Sequence, residues 1–289
     1  MDELQYLQVL SLNVRGIGDG KKRREIFRWL KRFHKGDKSV ILLQETHSVH
    51  AVEQIWEKEW GSKIFFSHGS SNARGVAILM PVEYNFAIKE TYKDNDGRIL
   101  GLTLEFKDGP KTNIINVYAP TKDKLKEQLD FLKCIDTNFD LAESPYIIGG
   151  DFNTYLNPVL DKKGGGVEPH SNYTEKLNNM LHEYNISDMW RILNPTLKQY
   201  TWRQNHPLVQ SRLDYFLVSN ELFYNINEIH IKPSIKTDHS LLQMKVNLKK
   251  DQKRGPGLWK FNCASLKDEV YIDMIKEIIK QLSEQYADL

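Results

Sequence analysis

The chain has 289 residues, 40% of them hydrophobic and 11% aromatic, enough for one large core or two small ones and too apolar for disorder. A formal net charge of +2 gives no bulk attraction for nucleic acid, so any such role falls to a local basic face. Cys134 and Cys263 lie far apart, which excludes a disulfide framework or a cysteine zinc site and fits a reducing compartment.

The start, Met1-Asp2-Glu3-Leu4, lacks the basic residues and apolar run of a signal peptide, and no apolar stretch reaches membrane-span length. Leu7–Leu12 alternates apolar and polar and stops at Asn13 before a glycine-rich turn, so it is predicted to be a strand. Gly16–Lys21 (GIGDGK) fits neither glycine fingerprint for nucleotides and is a strand-to-helix turn. Lys21–His34 places Ile26, Trp29, Leu30 and Phe33 at helical spacing, with Lys22, Arg23, Lys31 and Arg32 as a solvated face. Ser39–Leu43 is a short apolar strand ending in Gln44-Glu45, and 51–60 is helical. Strands are predicted at 63–67, 75–79, 86–91, 99–106 and 113–118, separated by turn residues, followed by an amphipathic helix over 122–139. A buried strand at 146–148 ends in Gly149-Gly150-Asp151, and 173–184 is helical. Further strands fall at 200–203, 213–218, 228–231 and 241–248. The sequons at Asn172 and Asn185 are chance matches, since nothing directs the chain into the secretory path.

Strands outnumber helices and come in runs, which predicts two mostly antiparallel sheets packed together with helices outside, within residues 1–248. Residues 249–257 (KKDQKRGPG) are charged, end in a helix breaker and form a linker. Ser265 and Asp268 then start a helix carrying Val270, Met274, Ile275, Ile278, Ile279 and Leu282, so 249–289 is a linker and helical tail.

Acidic and amide residues recur where predicted strands end: Asn13, Glu45, Asp151 with Asn153, Asp214, and Asp238 with His239. Strand ends are where a rigid scaffold presents side chains to a shared cleft. One such residue means little, because Asp and Asn favour turns anyway. Five such strand ends with one compatible chemistry, phosphodiester hydrolysis, are harder to dismiss. Mg²⁺, with Mn²⁺ as a substitute, prefers oxygen ligands and commonly takes only one or two carboxylates. Glu45, with Asp238 or Asn13 helping, suits it. Asp151 is a candidate base for water, and Asn153, Tyr118 and a protonated His239 are candidate donors for growing phosphate charge. Asp214 is the carboxylate available to favour the charged form of His239. Alone, His239 would be read as a structural histidine.

The ordered set Ser11-Leu12-Asn13, Leu43-Gln44-Glu45-Thr46, Asn116-Val117-Tyr118-Ala119-Pro120, Gly149-Gly150-Asp151-Phe152-Asn153, Ser211-Arg212-Leu213-Asp214-Tyr215 and Thr237-Asp238-His239-Ser240 resembles the motifs of the endonuclease/exonuclease/phosphatase superfamily, over residues 6–248. The resemblance implies a four-layered α/β sandwich and a divalent-metal phosphoesterase. It implies Glu45 as metal ligand with Asp238 close by, Asp151 as the residue that positions or activates water, and Asn13, Asn153 and Tyr118 as phosphate binders. It also implies a pair formed by Asp214 and His239.

Within the superfamily, residues 149–166 (GGDFNTYLNPVLDKKGGG), Ser187–Arg191 and Tyr200-Thr201-Trp202 look like endonucleases of non-LTR (LINE-type) retrotransposons. The tail Leu258-Trp259-Lys260-Phe261-Asn262 is similar to the segment leading toward their reverse transcriptase. Two positions depart from the abasic-site repair branch: Arg15, where those enzymes carry an acid, and Ser211, where they usually carry a tryptophan. A small residue at 211 leaves room for an intact flipped-out nucleotide. Residues 202–210 (WRQNHPLVQ) read as a polar hairpin tip or, with the resemblance, as a groove probe using Arg203 and Asn205, with Thr201 and Ser211 near the cut nucleotide. The resemblance therefore implies a nick in one strand of double-stranded DNA that leaves a 3′-OH to prime reverse transcription. It further implies fusion to a reverse transcriptase, association with the element RNA, synthesis in the cytoplasm and action in the nucleus. The alternatives are an abasic-site or other phosphoesterase of the same fold, and a non-catalytic nucleic-acid-binding module.

Overall fold

Side chains alternate across a strand, so a strand that buries every position needs a partner on each face. The first strand does this from Leu7 onward: Leu7 and Val9 enter one core while Leu10 and Leu12 enter another. The computed structural model describes residues 6–34, 39–106, 111–141, 145–166, 171–247 and 269–285. Its first strands are β1 (Tyr6–Asn13), β2 (Ser39–Gln44), β3 (Ile64–Ser67), β4 (Val76–Leu79), β5 (Phe86–Lys93), β6 (Ile99–Phe106), β7 (Thr112–Tyr118) and β8 (Tyr146–Asp151). They continue as β9 (Lys162–Lys163), β10 (Ile186–Asp188), β11 (Trp202–Gln204), β12 (Val209–Ser211), β13 (Asp214–Ser219), β14 (Ile226–Lys232) and β15 (Leu241–Asn247). The helices are α1 (Gly20–Leu30), α2 (Glu53–Trp60), α3 (Leu125–Asn138), α4 (Pro158–Asp161), α5 (Asn172–Glu183), α6 (Met189–Leu193) and α7 (Glu269–Gln285).

Two six-stranded sheets run β14-β15-β1-β2-β4-β3 and β10-β13-β8-β7-β6-β5. Each is antiparallel except for one parallel pair, β1 with β2 and β7 with β8. Leu7, Val9 and Leu42 of one sheet meet Ile114, Ile147 and Phe216 of the other in a central core. Outside the first sheet, α1 and α2 bury Ile26, Phe27, Leu30, Trp56 and Trp60. Outside the second, α3 and α5 bury Phe131, Leu132, Ile135, Tyr173 and Leu177. Helix, sheet, sheet and helix make the four layers expected from the sequence.

The glycine pair before Asp151 is a packing requirement. A Cβ on Gly150, whose φ is +148°, would sit 1.9 Å from the Val117 carbonyl oxygen, and one on Gly149 would sit 2.6 Å from a Leu42 methyl. Only glycine lets β8 press this closely on β7 and on the opposing sheet.

The turn at 16–21 does lead into a helix: the Asp19 carboxylate accepts from the Lys22 N–H and caps α1. The helix expected over 21–34 ends at Leu30 and finishes as the 3₁₀ turn Lys31–His34. The strand expected at 200–203 begins at Trp202. A third, small sheet of order β11-β12-β9 was not expected. Its strands are two or three residues long, too short to show a period of two.

Met1–Lys249 forms one compact unit and Lys250–Leu289 a second. The linker reading at 249–257 and the helix start at Ser265 and Asp268 lie outside the described residues. In the second unit α7 is helical, with Met274, Ile278 and Ile279 exposed. No helix among the described residues is long and apolar enough to cross a membrane.

Candidate active site

The strand registers bring the chemistry together. Parallel pairing sets Asn13 beside Gln44 and Tyr118 beside Asp151, and antiparallel pairing sets Asp151 beside Asp214. The acidic strand ends therefore collect along one edge of the sandwich.

At the centre, the Asn13 amide nitrogen donates to Glu45 Oε1 (2.8 Å) and to Asp151 Oδ2 (2.9 Å). One buried amide thus holds two carboxylates from different sheets. Asn13 is itself fixed, since its Oδ1 accepts from the Arg15 N–H (3.0 Å) and its carbonyl accepts from the Thr237 hydroxyl (2.9 Å). Glu45 has a left-handed backbone (φ +50°), a cost of about 1–2 kcal/mol for a residue with a Cβ. Behind it the Gln44 amide donates to Asn116 Oδ1 (2.7 Å), and Asn116 donates to the carbonyls of Leu43 (3.0 Å) and Ala77 (2.8 Å). This buried polar lock between the sheets holds the residue before Glu45 in place.

Asp151 is buried, and its Oδ1 accepts from the Asn153 N–H at 2.9 Å. Burial, then the Asp214 charge, pushes its carboxyl up to about 7, against the pull of His239, the Asn153 N–H and Asn13. His239 Nδ1 lies 2.9 Å from Asp214 Oδ2, and its Nε2 lies 3.9 Å from Asp151 Oδ2. Burial opposes the imidazolium, but the charge and hydrogen bond of Asp214 outweigh it, and the His239 pKa rises to about 9. At neutral pH the site therefore holds a buried cation beside a carboxyl poised to lose its proton.

Tyr118 is kept a neutral phenol: burial first, then the charges of Glu45 and Asp151, raise its pKa far above neutrality. The Arg98 guanidinium lies 5.6 Å from the centre of its ring. Asn153 Nδ2 donates to the Ala119 carbonyl (2.7 Å), and its own φ is +50°, which asparagine tolerates well. Asp238 Oδ2 accepts from Arg15 Nη1 (3.0 Å) and from Trp202 Nε1 (3.3 Å).

Glu45, Tyr118, Asp151, Asn153, Asp238 and His239 line a single cleft of about 840 Å³, together with Tyr155, Trp202 and Ser211. Asn13 and Asp214 stand behind this lining as buried supports. Ser211 forms part of the wall and is 4% exposed. Thr201 is placed otherwise than expected. It is fully buried, and its hydroxyl accepts from the N–H groups of Leu213 (2.9 Å) and Asp214 (3.1 Å), so it anchors the start of β13 and has no free face for a nucleotide. On the hairpin, Trp202 and Gln204 face the cleft while Arg203 and Asn205 do not line it, as alternation along β11 requires.

Sequence reasoning passed over several neighbours. Lys22, read as part of a solvated face, donates to the carbonyls of Val14 (2.9 Å) and Arg15 (2.8 Å), and burial lowers its pKa. Arg15, noted only as a missing acid, is the ion-pair partner of Asp238. Arg212, inside a quoted motif, is buried against Asp161 and Asp188. The lone Asp161 four residues after Asn157 carried no signal.

The donor set fits a hard divalent cation, because the carboxylates of Glu45, Asp151 and Asp238 share the cleft. Asn13 fits a brace better than a ligand, since its amide nitrogen serves two carboxylates and its oxygen meets the Arg15 N–H. Asp151, Asp214 and His239 also have donor atoms within 4.8 Å of one another, a group able to hold a metal ion. A protonated His239 is no ligand, which favours Glu45 as the holding residue.

Comparison with known proteins places these features. The model of the Endonuclease/Exonuclease/phosphatase family matches residues 10–239. Over 277 residues the chain is 26% identical to the Xenopus laevis transposon TX1 uncharacterized 149 kDa protein, with 94% of this chain and 20% of that protein covered. The chain thus spans a fifth of that relative's length. Its fold is similar to that of an AP endonuclease from Leishmania major, with a TM-score of 0.69, 19% identity, and 86% and 89% of the two chains covered. It is also similar to the catalytic domain of Xenopus laevis APE2, with a TM-score of 0.64, 20% identity, and 85% and 94% covered.

Proposed function

The chain belongs to the endonuclease/exonuclease/phosphatase family, and we propose that it nicks one strand of double-stranded DNA, leaving a 3′-OH that primes reverse transcription. The observation that carries the reading is the joined centre: one Asn13 amide holding Glu45 and Asp151, with the His239–Asp214 pair 3.9 Å from Asp151. Glu45 holds Mg²⁺, or Mn²⁺ in its place, with Asp238 at hand. When bound, the cation supplies Lewis-acid charge at the scissile phosphate. Asp151 orients the attacking water and takes its proton. Tyr118 and Asn153 donate to the phosphate oxygens, and the His239 imidazolium, held by Asp214, offsets the charge that grows there.

Two features support DNA over a small phosphate. Ser211 leaves the cleft wall open, and the β11–β12 hairpin beside it offers Trp202 and Gln204. Similarity to a transposon protein of which this chain covers a fifth supports fusion to further domains; a reverse transcriptase, element RNA as a companion and action in the nucleus are part of the proposal. The similarity to AP endonucleases makes abasic DNA the competing substrate.

The test is nicking of intact supercoiled plasmid in Mg²⁺, beside an abasic duplex and an inositol phosphate. Glu45→Gln serves as the metal-site control, and polymerase extension reports the 3′-OH. Plasmid nicks that a polymerase extends, lost in a folded Glu45→Gln, are the expected result. Cleavage confined to abasic DNA or inositol phosphate would sink the proposal, and so would no cleavage at all.

A further inference from the structure

Away from the cleft, three side chains from three separate elements converge. His50 opens the 3₁₀ turn His50–Val52, Glu53 begins α2, and His68 follows β3. His50 Nδ1 lies 3.1 Å and His68 Nε2 lies 2.7 Å from the same oxygen, Glu53 Oε1. All three donor atoms lie within 4.8 Å of one another, and none of these residues lines the cleft. We propose that His50, Glu53 and His68 form a second metal site, one for Zn²⁺, that fastens the loop following Glu45.

The donor chemistry selects the ion. Two imidazoles and one carboxylate suit zinc, while Mg²⁺ favours oxygen alone. Ligand bonds of about 2.0–2.1 Å in a tetrahedron set donor atoms roughly 3.3 Å apart. The 2.7 Å and 3.1 Å separations reach that spacing by small side-chain rotations. The fourth position faces solvent, because the His50 side chain is 85% exposed, and a water completes the shell.

The surroundings are those of a prepared site. His50 and Glu53 lie three residues apart on one helical face, where side chains meet. The His68 ring stacks on Phe66, with centroids 5.2 Å apart, and its Nδ1 lies 2.9 Å from Ser48 Oγ. A hydrogen bond to the second ring nitrogen is the usual support of a ligating histidine. When Ser48 accepts the Nδ1 proton, Nε2 presents a lone pair to a carboxylate oxygen, and two acceptors at that range need a cation between them.

The link to Glu45 is short. Ser48 Oγ lies 3.0 Å from Thr46 Oγ1, and the Thr46 N–H donates to the Gly75 carbonyl at 2.9 Å. An ion tying His68 to the start of α2 therefore closes the loop on which the left-handed Glu45 sits.

Zinc chloride is titrated into the full chain by calorimetry, with long-range proton–nitrogen NMR of the histidine rings and thermal unfolding in parallel. The wild type is expected to bind zinc with shifts at His50 and His68, and to gain thermal stability. His50→Ala, an exposed change that leaves the fold intact, and Glu53→Gln should each weaken binding by about 100-fold. Ser48→Ala should weaken it by about 10-fold, as loss of a supporting hydrogen bond does. Glu45→Gln, which disables the cleft, should leave the zinc signal untouched. Zinc affinity unchanged in both His50→Ala and Glu53→Gln would overturn the proposal. Shifts confined to His239 or His47, loss of binding in Glu45→Gln, or no binding to the wild type would do the same. Because nicking is not measured, none of these outcomes bears on the proposed DNA substrate.

Discussion

Removing Asp161 tests how the start of β13 is held. Its buried carboxylate accepts from Arg212 Nε (2.8 Å), Arg212 Nη2 (2.9 Å), Arg191 Nη2 (2.5 Å) and the Asn157 N–H (3.0 Å). Arg212 is 1% exposed and lies between the rings of Trp190 (5.1 Å) and Tyr215 (4.5 Å), so its charge cannot reach water. Asp161→Ala leaves that guanidinium with Asp188 alone, through contacts of 3.0 Å and 2.6 Å. Hydrogen bonds to charged groups contribute about 1.5–3 kcal/mol each, and breaking a buried pair costs about 3–5 kcal/mol. With Asp188 still in place, the lower end, about 3 kcal/mol, is expected. Urea unfolding at constant slope gives the value directly. The double variant Asp161→Ala/Arg212→Met, which removes the buried guanidinium together with its carboxylate partner, should lose less than the sum of its single variants. A loss under about 1 kcal/mol for Asp161→Ala, or strict additivity in the double variant, would refute the reasoning, because either shows Arg212 independent of Asp161.

The remaining expectations concern the chemistry. Asp214→Asn and His239→Gln should each slow nicking by about 10²–10⁴, and the double variant should be little worse, because the two act as one unit; fully multiplicative losses would separate them. The pH profile follows from the two buried groups. Asp151, raised to about 7, must be deprotonated to accept a proton, so the rate should climb as pH rises through that value. His239, raised to about 9, must keep its proton, so the rate should fall as pH passes it. Asp214→Asn removes what holds the His239 proton, so its falling limb should move to lower pH; an unmoved limb would show that another group titrates there.

Part of this was legible from residue order. The apolar alternation of 7–12, the amide at Asn13 and the glycine pair before Asp151 mark strand ends without knowledge of their neighbours. Helical spacing marked α1, α3 and α5 to within a few residues, and the order of the motifs brought Glu45, Asp151, Asp214 and His239 into one expected site. The strand ends and helices survive in sequence because they depend on residues next to one another, a period, a cap or a turn, whereas the grouping of the four site residues came from the resemblance to a known family.

Contacts chosen by register left no such trace. Thr201 looked like a nucleotide contact until the structure set its hydroxyl on the N–H groups of Leu213 and Asp214. Arg15 meets Asp238, 223 residues away, and Asn13 meets Asp151, 138 residues away, only because β15, which Asp238 precedes, pairs with β1 and because β8 faces β1 across the sandwich. The half-buried Lys22 ammonium meets two carbonyls through the geometry of one turn. Sequence determined the local elements and the kinds of group at their ends, since both follow from neighbouring side chains. Tertiary structure alone decided which oxygen meets which proton, since that depends on how distant strands pair and on how deeply each group is removed from water.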